Sequence, residues 1–232
     1  MPEIFSGFTG ECLAFYRNLA RNNSKPWFEK HRAIYEKEVL APARRFVEAM
    51  GDSLRRIFPD IHAEPLVDRS IFRIYRDVRF SRDKSPFKTN LAIWLWEGAG
   101  PRMECSGCYF QLEPDSIMLG VGMYQFPKHM IREYRDSVIH PDYGKRLSET
   151  IRSITENGDY ELGGRNYKKV PRGYPADHAH ADLLLFNGLW AGTERPVPRE
   201  LSSPDLVGYC YRIFSDLAPL HFWLRAMTAR VA

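Results

Sequence analysis

The chain has 232 residues, of which 44% are hydrophobic, 33 are Lys or Arg against 29 Asp or Glu, and only 16 are Gly and 16 Pro, proportions that exclude a disordered or low-complexity protein. Its longest apolar run, Leu91 to Trp96, is six residues, far below the roughly 18–20 of a membrane span, and its first ten residues carry no secretory-signal pattern, so a cytoplasmic protein is expected. The net charge of +4 is unevenly spread: Arg69 to Lys88 holds seven basic residues and two acids, a local +5, which leaves −1 for the remainder.

Phe8, Cys12, Phe15 and Leu19 recur at helical spacing after Thr9, a candidate N-cap, and predict a first helix ending near Asn22-Asn23. Ser24 and Pro26 open a second, with Phe28, Tyr35 and Val39 inward and Pro42 breaking or bending it. Phe46, Val47, Met50, Leu54, Ile57 and Phe58 mark a third, stopping at Pro59. The period then changes to two. Ile71 to Phe80 reads as a strand with Phe72, Ile74, Val78 and Phe80 on one face, followed by strands at Asn90 to Trp96, Gly107 to Glu113 and Ile117 to Tyr124. Helices return with Met130, Tyr134 and Val138, then Tyr143, Leu147, Ile151 and Ile154, capped at Asn157-Gly158. Asp159 to Gly173 is a polar, basic loop with room for one short strand, Asp182 to Gly188 a short helix, and the last helix opens at Ser203-Pro204-Asp205 and is kinked or interrupted at Pro219. Strands grouped between helices predict an α+β fold: an antiparallel sheet of at least four strands flanked by N-terminal and C-terminal helices. A single domain is expected over 1–232, helical over 8–58, with its sheet over 70–124 and helices and loops over 127–232.

The basic segment concentrates the candidate chemistry. Alternation puts Arg73, Tyr75, Asp77 and Arg79 on one face and leaves Arg76 among apolar side chains, where a guanidinium needs a carboxylate, backbone carbonyls or a bound anion. Ser81, Asp83, Lys84, Ser85 and Lys88 follow in a loop competent to hold phosphate or carboxylate. The order Asn22-Asn23, Trp27-Phe28, Tyr35, Pro42, then Phe72-Arg73, Arg76-Asp77, Arg79-Phe80-Ser81 and Asp83-Lys84-Ser85-Pro86-Phe87-Lys88, then Lys169-Val-Pro-Arg-Gly-Tyr174, resembles the family of conserved hypothetical proteins called domain of unknown function 2461. The resemblance runs from about Phe5 to about Trp190 and implies an intracellular α+β domain, with no substrate, cofactor or catalytic residue to carry over. In that pattern a tyrosine often stands where this chain has Phe87, and Cys105 and Cys108 fall outside it.

Two readings of the segment stand side by side. In one, Arg76, Arg79, Ser81, Asp83, Lys84 and Lys88, joined by Lys169 and Arg172, enclose an anionic small molecule, phosphorylated or carboxylated, to bind it or to act on it. In the other, the arginines pair with acids such as Glu104, Glu113 and Asp77, a structural network. Asp77 and Asp83, flanked by arginines, read as counter-ions with depressed pKa rather than general bases. A nucleic-acid or protein-interaction module is the alternative function, since Tyr75, Phe80 and Phe87 interleave with the cations, although a pI near 8.8 is low for a dedicated nucleic-acid binder. No cofactor fingerprint and no metal-ligand cluster is legible. Cys105-Ser-Gly-Cys108 is a lone pair of thiols, and His178 and His180 lack partners for a metal. The four cysteines are expected as free thiols, and no histidine is tied by any motif to a Ser or Cys.

Overall fold

A computed structural model of the chain describes residues 4–156 and 158–230. Gly10–Arg21 forms α1, which buries Cys12, Phe15, Tyr16 and Leu19 at the expected spacing. Thr9 precedes it, but its hydroxyl bonds Glu38 Oε2 at 3.1 Å instead of capping the helix. Lys25–Ile34 (α2) does not break at Pro42. It continues through a π-helical stretch, Tyr35–Leu40, into α3, Ala41–Leu54, with Pro42 in the first turn of α3. The Ala41 N–H reaches back to Glu36, so Pro42, which has no N–H to give, stands where the ladder changes from i−5 to i−4 bonding.

The sheet is antiparallel and six-stranded, in the order β1-β2-β3-β4-β6-β5. Its strands are β1 (Ile61–His62), β2 (Leu91–Glu97), β3 (Gly107–Leu112), β4 (Ser116–Met123), β5 (Glu161–Arg165) and β6 (Phe186–Pro196). Three of the expected strands are β2, β3 and β4, and the short strand in the basic loop is β5. The helix expected over Asp182 to Gly188 is only a 3-10 turn, Ala181–Leu185, and Gly188 lies inside β6. A Cβ at Gly188 would come within 2.0 Å of the Tyr124 carbonyl, so the glycine marks close strand approach rather than a helix end.

Ile131–Ile139 (α4) and Pro141–Thr155 (α5) follow the sheet's first four strands, and His140 Nδ1 accepts from the Asp142 N–H at 3.2 Å to cap α5. Of the expected Asn157-Gly158 cap, Asn157 lies outside the described residues, while Gly158 takes φ +70° and its N–H bonds the Thr155 carbonyl at 3.0 Å. The final helix, α6, runs unbroken over Asp205–Thr228 with Pro219 inside it, against the expected interruption. Buried Cys210, Ile213, Leu217, Leu220, Leu224 and Met227 lie on both sides of the proline, so packing offsets the one hydrogen bond it removes.

The chain forms two compact units. Unit 1 comprises the stretch up to Leu95, Tyr109–Leu119 and Glu194–Ile213; unit 2 comprises Trp96–Cys108, Gly120–Thr193 and the stretch from Phe214 onward. The core of unit 1 includes Phe5, Phe8, Phe46 and Phe110, with Phe46 and Phe110 rings 4.6 Å apart. Unit 2 centres on Phe126, Tyr134 and Trp223, where Phe126 stacks on Tyr134 at 4.5 Å. All four cysteines are buried free thiols. Among the described residues, no helix is long and apolar enough to cross a membrane.

Candidate anion-binding site

Ile71 to Phe80 is not the continuous strand its alternation suggests. Ser70 to Phe72 pairs with β2, where the Trp94 N–H donates to the Ser70 carbonyl at 2.8 Å and the Phe72 N–H to Ala92 at 3.0 Å. The chain then doubles back on itself: the Arg76 N–H bonds Pro86 at 2.9 Å and the Lys88 N–H bonds Ile74 at 2.7 Å, around a bridge between Tyr75 and Phe87. Residues 77–85 form the loop of this short hairpin. Two aspartates bend it, Asp77 accepting from the Arg79 N–H at 3.2 Å and Asp83 from the Ser85 N–H at 2.9 Å, in the local side-chain turns that compete with strand pairing. Phe80 consequently stands 96% exposed rather than on a buried face.

Asn23, Phe28 and Arg32 hold the hairpin down. The Asn23 amide clamps Phe87, donating to its carbonyl at 2.9 Å and accepting from its N–H at 3.0 Å, as a neighbouring strand would. Phe87 stacks on Phe28 at 4.4 Å, and Tyr75 lies 5.2 Å from Phe87. Arg32 bonds Glu29 at 2.6 Å, lies 5.1 Å over the Phe28 ring and also meets the Tyr75 hydroxyl.

Charge on the loop is largely paired from within. Arg76, its side chain 28% exposed, bonds Asp83 and the Ser85 carbonyl, the latter at 3.2 Å. Arg79 forks onto Asp77 at 2.7 Å, Lys84 donates to the Val78 carbonyl at 2.9 Å, and Arg69 meets Glu64 at 3.5 Å. The side-chain hydrogen bond from Arg79 holds Asp77 down to about 2, and bonds from Ser85 and Arg76 do the same for Asp83. Both carboxylates are therefore counter-ions, ionised and unsuited to take a proton near neutral pH. Of the acids named from the sequence, Asp77 does pair with an arginine, whereas Glu104 is 3.9 Å from His129 and Glu113 accepts from Gln111 at 2.8 Å.

Beside the hairpin opens a cleft of about 420 Å³, lined by Phe72, Arg76, Asp77, Lys88, Asn90, Tyr109 and Gln111. Lys88 Nζ sits 5.2 Å over the Phe72 ring, and the Tyr109 hydroxyl donates to Gln111 Oε1 at 2.5 Å. Of the sequence-derived site residues, Arg76 and Lys88 line this cleft, and Arg79, Ser81, Asp83 and Lys84 lie on the adjoining loop. Lys169 and Arg172 belong to unit 2, on the irregular stretch after β5.

Residues 11–223 match the model of a family described as conserved hypothetical protein, DUF2461. The chain belongs to this family. A comparison with curated proteins finds no match. The residues by which this DUF2461 chain resembles its family have visible work in the structure: Asn23, Phe28 and Phe87 clamp the hairpin, and Tyr174 donates to Asp136 Oδ1 at 2.8 Å. The lone histidines expected at 178 and 180 are 5.4 Å apart in a turn, and among the described residues no group of three His, Cys, Asp or Glu could hold a metal.

One constellation escaped the sequence reading of this family member. In unit 2, His221 Nε2 lies 2.8 Å from Glu97 Oε2 and its Nδ1 lies 2.9 Å from Ser106 Oγ, while Arg225 reaches the same Glu97 oxygen at 2.6 Å. A carboxylate only accepts, so Nε2 carries the hydrogen and Nδ1 accepts from the serine. Burial lowers the His221 pKa, against the pull of Glu97, and keeps the ring neutral. Ser106 is 2% exposed and His221 fully buried, so the arrangement is a closed polar latch between the end of β2, the start of β3 and α6. The available signal was a polar residue against an apolar run, Glu97 directly after Leu91 to Trp96 and His221 within Leu220 to Leu224, each demanding a partner if buried.

Proposed function

We propose that unit 1 binds an anionic small molecule, phosphorylated or carboxylated, in the cleft beside the 77–85 loop. The observation that carries this reading is that two cations from opposite arms of one hairpin, Arg76 and Lys88, line the same cleft as the hydrogen-bonding groups of Asn90, Tyr109 and Gln111. Arg76 supplies a planar fork and Lys88 a point charge, and Phe72 offers an apolar wall. An incoming oxyanion exchanges with Asp83 on the Arg76 guanidinium, and Ser81, Arg79 and Lys84 on the loop approach it from outside. Ligand recognition, rather than a reaction, is the activity this donor set supports, since its carboxylates are held ionised by arginines. A cytoplasmic location belongs to the same proposal.

Calorimetric titration with phosphate, citrate and sugar phosphates tests it. Lys88→Ala and Gln111→Ala, each with an unchanged circular dichroism spectrum, should weaken the best ligand by roughly tenfold or more, the worth of one charge-assisted contact. Undiminished binding in both variants would overturn the reading. A second reading rests on Phe80, 96% exposed with the Arg79 guanidinium 5.8 Å from its ring, a small stacking platform for single-stranded nucleic acid. It requires oligonucleotide affinity that drops steeply with salt and is lost in Phe80→Ala.

A further inference from the structure

In unit 2, among the described residues, no carboxylate pairs with the guanidinium of Arg135. Arg135, on α4, is flanked by two rings, its Cζ lying 5.1 Å from the centre of Tyr167 and 5.9 Å from that of Tyr174. Its Nε is buried and meets no hydrogen-bond acceptor among the described residues. The carboxylates of the same neighbourhood are already engaged: Asp136 accepts from the Tyr174 hydroxyl at 2.8 Å and faces Arg132 at 3.6 Å, Glu133 holds Arg230 at 3.0 Å, and Asp182 holds Arg165 at 3.5 Å. A buried donor with no partner is costly, and more so when it is charged, so an anion that meets the Arg135 guanidinium relieves that cost.

The rings that hold Arg135 belong to a loop with a charge of its own. From Asn166 to Ala176 there are three cations, Lys168, Lys169 and Arg172, and no acid. All three are exposed. Lys168 and Lys169 directly follow Tyr167, and Arg172 stands two residues before Tyr174, so the two anchoring rings carry the cations to the neighbourhood of Arg135. Gly173, at φ +90°, supplies a left-handed turn between Arg172 and Tyr174. The two ring contacts restrict the swing of the guanidinium, which lowers the entropy lost when it meets an oxyanion.

We infer that Arg135, Lys168, Lys169 and Arg172 form a second anion site, in unit 2, that takes the phosphate of a phosphate monoester. Arg135 meets the anion with the open part of its guanidinium, and the loop cations neutralise the dianion from the solvent side. The inference does not depend on the cleft of unit 1, and either can fail without the other.

Inorganic phosphate is the probe, followed through the side-chain Nε–H resonance of Arg135 in a ¹⁵N-labelled protein and assigned by its loss in Arg135→Gln. If that variant does not fold, Arg135→Lys makes the assignment. The resonance should shift and saturate as phosphate rises to about 10 mM, where a millimolar site is nearly full. Replacing Lys168, Lys169 and Arg172 together by alanine, all three being exposed, should raise the phosphate concentration at half-saturation by roughly tenfold. Lys88→Ala, in unit 1, should leave this titration unchanged while altering the calorimetric one. An Arg135 resonance that does not move with phosphate, or that moves equally in the triple variant, would overturn the inference.

Discussion

Arg225→Ala should flatten part of this protein's pH dependence. In the native protein Glu97, 3% exposed, has its charge balanced by Arg225 at 2.6 Å, and the fully buried His221 remains neutral because desolvation lowers its pKa. The unfolded chain therefore binds a proton at position 221 that the folded chain resists. Stability contributed by the latch is complete above the ordinary histidine value of about 6.5 and declines as pH falls below it, by at most about 1.4 kcal/mol per pH unit. Removing Arg225 leaves a buried carboxylate facing a neutral ring. Breaking a buried pair costs about 3–5 kcal/mol, and because Arg225 is 39% exposed and water replaces part of it, about 2–3 kcal/mol is the working figure. Protonation of His221 at Nδ1 then relieves Glu97, so the folded-state pKa of the ring moves up toward its unfolded value, and the stability lost as pH falls below about 6.5 becomes smaller. The deficit of the variant relative to the native chain should thus be largest near pH 8, a fall of roughly 5–10 °C in Tm for a chain of this size, and should shrink steadily toward pH 5.5. Thermal unfolding followed by far-ultraviolet circular dichroism across that range measures it. Taking the difference between the two proteins cancels the other titrating groups. Parallel pH curves for the two proteins, or no deficit at pH 8, would refute the reasoning.

Asn23→Ala removes both bonds that clamp Phe87, and about 2 kcal/mol of stability should go with them, together with faster proteolytic cleavage within residues 77–85. Asn23→Asp should be worse, because a carboxylate oxygen would then face the Phe87 carbonyl. Phe80→Ala should leave unfolding within about 0.5 kcal/mol of the native value, since the ring is 96% exposed; a larger loss in urea denaturation would mean that the loop tip is covered. Asp83→Asn releases Arg76 from its counter-ion and should tighten phosphate or citrate binding to the unit 1 cleft in calorimetry, whereas weaker binding would indicate that Asp83 positions the guanidinium for the ligand. With Asp77 and Asp83 both held near 2, the loop ion pairs should persist to pH 4 and open only as pH falls toward 2, which amide exchange in the loop can follow.

The sequence by itself determined the elements whose signal is local. Cys12, Phe15 and Leu19 repeat at helical spacing and α1 follows them, and β2, β3 and β4 lie where apolar runs stand between turn-prone residues, because periodicity within a dozen residues is enough to define a buried face. It also pointed to the basic segment and to Arg76 as a side chain that must have a partner. Tertiary structure alone decided what those residues meet. The same local pattern failed at Ile71 to Phe80, where aspartate turns and the Asn23 clamp, 64 residues away from Phe87, outweigh a strand-like alternation. It failed at Pro219, where packing along α6 outweighs one missing hydrogen bond. Ser106 and Glu97 stand 115 and 124 residues from His221, and no spacing rule links groups so far apart in the chain. The need of a buried polar group for a partner is written in its own apolar surroundings, whereas the partner's identity is settled only when the fold brings distant segments within bonding distance.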